Sequence, residues 1–194
     1  MVILGSTRRN RQGERIARWI FEEARKYGDF DIEPIDLREW PLPFFDEVAS
    51  PARIGGDYTS EVARRWSAKI RGADGFIFVT PEYNHGYPAV LKNALDYLFY
   101  EWAYKPAAFV SYSWGASGGM RAVEQLRQVA IELNMVPVRE AVHIARLTNA
   151  FDEKGDLTDK SIATSAHRML ERLQWWTRVM KKAREEKAEK VKVS

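Results

Sequence analysis

The 194-residue sequence contains no cysteine. This absence removes disulfides, thiolate nucleophiles, zinc–thiolate centres and CxxC redox pairs, and it fits a reducing compartment. Histidine is scarce: His85, His143 and His167 are the three, and none is spaced to share a metal ion. No apolar run is long enough to span a bilayer, so no membrane role is expected. Residues 1–5 carry neither a basic n-region nor an apolar h-region, so no secretory signal is read and a cytoplasmic location is expected. There is no internal repeat and no linker. Net positive charge is missing from the body of the chain. The formal net charge is +3, yet residues 181–194 hold six Lys/Arg and three Glu, which leaves residues 1–180 neutral. A nucleic-acid footprint should be a basic folded face with polar or aromatic readers. A Lys/Glu tail reads instead as a solvated helix end, so no nucleic-acid partner is expected.

What is present reads as one domain over residues 1–180, followed by a charged helix extension or tail over 181–194. Hydrophobic residues make up 45% of a chain long enough to bury a proper core. The organising stretch is residues 75–98. Gly75-Phe76-Ile77-Phe78-Val79 is a short bulky run that reads as a buried strand. It ends in the polar segment Pro81-Glu82-Tyr83-Asn84-His85-Gly86-Tyr87. Pro88 then sits where a first helical turn accepts proline, and Leu91, Leu95 and Leu98 follow at helical spacing.

The rest of the chain repeats this unit. Residues 1–4 form a strand, a polar loop follows over 5–13, and Ile16, Ile20 and Ala24 mark a helix ended by Gly28. Residues 32–37 form a second strand whose Pro34 belongs at a sheet edge. A long connection, 39–58, carries Phe44 and Phe45, which pack over the domain's own edge or cover a ligand or a neighbouring subunit. A helix over 60–71 precedes the third strand. Residues 106–112 are the fourth strand and lead into Ser113-Trp114-Gly115-Ala116-Ser117-Gly118-Gly119, with a helix to about 133. Residues 136–144 give a last strand, broken near Arg139 and Glu140. A turn over 152–156 and a long final helix capped by Thr158 or Asp159 complete the chain. Five strands alternating with five helices predict an α/β fold with a parallel sheet covered on both faces. The expected strand order is 2-1-3-4-5, which puts Pro34 on an edge strand and the switch point between strands one and three.

Three loops should therefore meet at the carboxyl end of the sheet. The first, Gly5 to Gly13, joins a helix start to hydroxyls and arginines and suits a phosphate. It is neither GxxxxGK[ST] nor GxGxxG. The other two offer backbone amides, glycines and the flat side chains Tyr83 and Trp114. By analogy of fold, a planar phosphorylated ligand such as FMN fits that place.

Gly5-Ser6-Thr7-Arg8, then Pro81-Glu82-Tyr83-Asn84 with Pro88 and Leu91-Lys92-Asn93-Ala94-Leu95-Asp96, then Gly118-Gly119-Met120-Arg121-Ala122, together resemble the NADPH-dependent FMN reductase family, with its quinone and chromate reductases and azoreductase relatives. The resemblance covers roughly residues 1–147. It implies a flavodoxin-like three-layer fold, bound FMN, NADPH as hydride source, a small-molecule acceptor and a homodimer or homotetramer. It also implies site residues. Ser6, Arg8, Arg11, Gln12 and Gly13 would hold the phosphate. Pro81, Glu82, Tyr83 and Asn84 would line the ribityl chain and ring. Ser113, Trp114 and Gly115 would flank the other edge of the ring. Many relatives carry a serine where this chain has Arg11. No side chain is assigned a catalytic role, because the flavin carries the chemistry. The crowded aromatics Tyr97, Phe99, Tyr100, Trp102 and Tyr104 suggest an oligomer interface; Asn93 and Asp96 are interfacial or simply solvated. A flavodoxin-type electron carrier and a flavin-binding sensor are the competing functions. A carrier usually shows an acidic docking face, and the neutral body of this chain counts against one.

Overall fold

The computed structural model describes residues 1–152 and 157–193, with side chains as far as 186. The expected turn at 152–156 falls largely outside them. Strands β1 (Val2–Leu4), β2 (Pro34–Asp36), β3 (Phe76–Pro81), β4 (Pro106–Tyr112) and β5 (Val136–Ile144) form one sheet in the order β2-β1-β3-β4-β5. All four pairings are parallel; Ile3 stands between Ile35 and Phe78. Pro34 lies on the edge strand, as its missing N–H requires. The break expected in the last strand is real. Ala107 pairs with Pro137 and Phe109 with Ala141, so four residues of β5 pass two of β4 around Arg139 and Glu140.

Period-two alternation splits the strands between two layers. Phe76, Phe78, Phe109 and Ile3 face α3 (Glu61–Arg71), α4 (Ala89–Asp96) and α5 (Met120–Glu132), where Trp66, Leu91, Leu95 and Leu126 meet them. Ile77, Val79, Val110 and Leu4 face α1 (Gly13–Tyr27) and α6 (Lys160–Val193) through Ile16, Ile20, Met169 and Leu170. Each such side chain contributes about 1.5–3 kcal/mol when fully buried. Helix α1 stops where Gly28 takes φ 87°, a left-handed value that suits glycine. Asp159 caps α6 by accepting from the Ser161 N–H at 2.8 Å. A short α2 (Pro51–Ile54) sits inside the long connection. No described helix is long and apolar enough to cross a membrane.

The structure revises two local readings. Tyr97 and Trp102 are core residues, so most of the aromatic crowding is internal; Trp102 packs 4.9 Å from Phe76 and donates to Leu95 O at 3.1 Å. Only Tyr100 and Tyr104 of that run are strongly exposed. Asn93 fastens the long connection to α4, accepting from Phe45 N at 3.0 Å and donating to Pro43 O at 2.8 Å. Asp96 pairs with Lys92 one turn away.

Candidate active site

At the carboxyl end of the sheet the loops after β1, β3 and β4 enclose a crevice of about 470 Å³. The first loop contributes Arg8, Asn10, Arg11 and Gln12; the second Pro81, Glu82, Tyr83 and Asn84; the third Ser113 and Trp114, next to Tyr112 at the end of β4. Ser6, Gly13 and Gly115 are not part of this lining: the first two are buried and Gly115 is exposed. Ser6 is buried, and its hydroxyl meets the Tyr83 hydroxyl at 2.8 Å, joining the first loop to the second. Gly13 opens α1. A Cβ there would lie 2.5 Å from the Tyr112 hydroxyl and 2.6 Å from Leu4 Cδ1, so only glycine lets the helix start approach β1 and β4. Gly115 is held by the Arg146 N–H at 3.1 Å.

The first turn of α1 has orphan N–H donors, and its N-cap residue Gln12 makes no side-chain cap. Arg8 forms no ion pair among the described residues and lies 5.9 Å from the Tyr83 ring centre. Arg11 behaves differently. Its guanidinium is almost fully buried and donates to Asp36, to Glu14 at 3.1 Å and to Ser6 O. The phosphate contact expected of it is therefore not available to that guanidinium. The Arg11 ion pair holds the Asp36 carboxyl below the usual range, although burial alone would raise it.

The second loop is a two-residue hairpin. Tyr83 and Gly86 exchange both backbone bonds, at 2.8 and 2.9 Å, while Asn84 and His85 take φ 49° and 68°. Positive φ at both central residues marks a type I′ turn. Glu82 N–H is spent on Tyr112 O and Tyr83 N–H on Gly86 O. Of the Glu82–Asn84 amides, only that of Asn84 is left without a partner among the described residues. Helix α5 braces this hairpin: the Glu82 carboxylate accepts from the Arg121 guanidinium and from Arg121 N, and Gln125 donates to His85 O at 3.0 Å. Burial would raise Glu82, but Arg121 holds its pKa below the ordinary value.

The third loop is fastened from below. Buried Ser111 bonds to Gly118 O and to His143 Nδ1, both at 2.7 Å. Trp114 stays well exposed.

The family model of NADPH-dependent FMN reductases matches residues 1–149. The chain belongs to that family. It is 45% identical over 148 residues to an NAD(P)H-dependent FMN reductase of Schizosaccharomyces pombe, covering 75% of this chain and 73% of the relative. It is 33% identical over 167 residues to a quinone reductase of Pseudomonas putida, covering 82% and 84%. Among solved structures it resembles FerB, a flavoenzyme NAD(P)H:(acceptor) oxidoreductase of Paracoccus denitrificans, with a TM-score of 0.73, 25% identity and coverage of 92% and 96%.

Membership makes FMN the group to test against this crevice. The volume suits a small cofactor, since such sites run to roughly 300–1,000 Å³. More telling is an orphan. The Tyr112 hydroxyl is buried against Gly13, whose backbone N–H approaches its oxygen, but its own proton has no acceptor among the described residues, a state that usually means a missing ligand or water. Beside it lie the uncapped helix start and an unpaired Arg8. The donor set fits a phosphorylated ring. The sequence reading had missed Tyr112, Asp36 and Arg38. Tyr112 closes a strand, as does Asp36, so the rule that ligands lie beyond strand carboxyl ends was the signal available for both.

Proposed function

We propose that this chain is an FMN-dependent NAD(P)H oxidoreductase that passes hydride from NAD(P)H by way of bound FMN to a quinone, a flavin or a similar acceptor. The observation that carries the reading is the Tyr112 hydroxyl, buried with no acceptor for its proton among the described residues, beside the start of α1 in a crevice lined by Tyr83 and Trp114.

When bound, FMN supplies two-electron hydride chemistry that no side chain possesses. The protein binds and orients. Arg8, the Ser6 hydroxyl and the α1 N-terminal amides are the phosphate donors. Tyr83 and Trp114 offer flat apolar faces. The Asn84 N–H is held outward by the I′ turn, ready to donate to a ring atom that gains charge on reduction, at no cost in reorganisation. The Glu82 carboxylate is committed to Arg121 and α5, so its work is to hold the hairpin, not to carry a proton. The exposed Trp114 side chain is an open stacking surface for varied planar acceptors. NADPH is the preferred reductant on family resemblance.

Residues 1–180 act as one FMN-binding domain, and the end of α6 is its charged extension. Exposed Phe44, Val48 and Met120 favour a homodimer or homotetramer, because apolar surface of this kind is normally covered. A cytoplasmic location fits the cysteine-free sequence.

The test is a visible spectrum of the purified protein, then anaerobic NADPH, then a quinone. A flavin band bleached by NADPH and restored by quinone is expected. A flavin that bleaches only with dithionite would make the protein an electron carrier. A colourless protein that refuses added FMN would overturn the site.

A further inference from the structure

Two arginines bond to the backbone of the first loop. Arg11 donates to Ser6 O. Arg38, just past β2, donates from Nε to Thr7 O at 3.3 Å and from Nη2 to Arg8 O. Three successive carbonyls are thus captured by guanidinium groups. Asp36 is the hub: its carboxylate pairs with the Arg11 guanidinium and also accepts from Arg38 N at 2.9 Å. Glu14, in the first turn of α1, accepts from Arg11 at 3.1 Å and from Arg38 at 2.8 Å. Two cations and two carboxylates leave this cluster neutral.

A trans peptide points its C=O and the next N–H in opposite directions. Fixing the oxygens of Ser6, Thr7 and Arg8 on the arginine side therefore turns the N–H groups of Thr7, Arg8 and Arg9 away from it. The Arg8 N–H shows the result: it faces Ser6 Oγ at 3.4 Å, and that hydroxyl is bonded to Tyr83 at the crevice. Without the arginines, solvated carbonyls would leave these peptides free to rotate. We infer that Arg11, Arg38 and Asp36 are positioning residues that orient the peptide N–H groups of the first loop for the phosphate of the flavin, with neither guanidinium touching the phosphate itself. This rests on the FMN reading above.

Riboflavin, the same ring and ribityl chain without phosphate, separates positioning from general damage. The full-length protein is freed of flavin, and FMN and riboflavin are titrated by fluorescence quenching for wild type, Arg38→Ala and Arg38→Lys. Arg38 is an exposed side chain, so both variants should fold, and thermal melting verifies it. Arg38→Ala is expected to weaken FMN by about tenfold, the scale of one charge-assisted hydrogen bond, and riboflavin by less than about twofold. Arg38→Lys keeps the charge but has no fork to span two carbonyls and Glu14, so it should lose nearly as much. Equal loss for both flavins, or no loss for either, overturns the inference. Wild-type affinity for FMN in Arg38→Lys also overturns it, because charge alone would then explain the effect. Failure of the wild type to bind FMN would instead sink the proposed function. Should Arg38→Ala not fold, Arg38→Lys alone decides.

Discussion

Arg11 and Glu101 are the two most deeply buried charged side chains in the ion pairs among the described residues, each with 1% of its side chain exposed. Both are satisfied. Arg11 has Asp36, Glu14 and Ser6 O; Glu101 has Ser67 Oγ at 2.6 Å, Tyr58 Oη at 3.0 Å and Arg71 at 3.2 Å. Their partners differ in what they hold. Those of Arg11 tie the loop that faces the crevice, through Ser6 O, to Asp36 at the end of β2 and Glu14 in the first turn of α1. Those of Glu101 anchor Tyr58, the far end of the long connection, onto α3. Burial of a charge therefore does not identify a functional residue here. What distinguishes the pair is whether the captured groups face a ligand.

The largest expected effects break the two clusters separately. Glu101→Ala should cost about 3 kcal/mol of stability, since a buried hydrogen-bonded charge is removed and its donors are stranded. Its FMN affinity, measured on the folded fraction, should stay within about twofold of wild type. Arg11→Ala should cost about as much, because Asp36 loses its partner, and it should also weaken FMN binding by more than tenfold, a scale set by about two lost charge-assisted bonds. Urea unfolding and flavin titration on the same preparations check both. If Glu101→Ala also lost FMN, the long connection would have to be part of the site.

Most of the fold was legible because its signals are local and strong. The bulky runs at 76–79 and 106–112 are strands, and Pro34 marked the edge. The loops were legible as a group, since the strand order fixes where they meet. The brace was not. Arg11 in a Ser/Arg-rich loop reads as a phosphate ligand until Asp36, on a strand 25 residues away in sequence, is seen to claim its guanidinium. Such a pairing depends on register between β1 and β2, which periodicity does not reveal. Tyr97 and Trp102 misled for a related reason. The helix face of Leu91, Leu95 and Leu98 reads as sufficient for the core, but the layer over Phe76 and Phe78 has room for Trp66 and Trp102 as well.

A second, smaller contrast lies in acid. Burial alone would raise the Glu101 carboxyl, yet hydrogen bonds from Ser67, Tyr58 and Arg71 outweigh it and hold the pKa below the ordinary 4.5. A carboxylate with a depressed folded pKa binds fewer protons than its unfolded counterpart. Its stabilisation is present above pH 4.5 and lost as pH falls through the folded value. Glu101→Gln should therefore show a flatter loss of stability below pH 4.5 than wild type. Asp36 is shifted in the same direction from the ordinary 3.8, so flavin should be released as pH falls below that value. Glu101→Gln should leave that release unchanged. Denaturant midpoints and flavin release, followed from pH 7 down, separate the two clusters.

The finest test reverses the usual sign. Tyr112→Phe removes a buried hydroxyl whose proton has no acceptor among the described residues and keeps the ring that packs on α1. Relief of an unsatisfied group should stabilise the flavin-free protein by about 1 kcal/mol. The same change removes a donor from the crevice, so FMN affinity should fall by a few-fold. Stability up and affinity down, in one variant, is the signature of a group kept unpaired for a ligand. Stability down with affinity unchanged would mean that the hydroxyl is held by water under Gly13, and the crevice would then lose the donor that best argues for FMN.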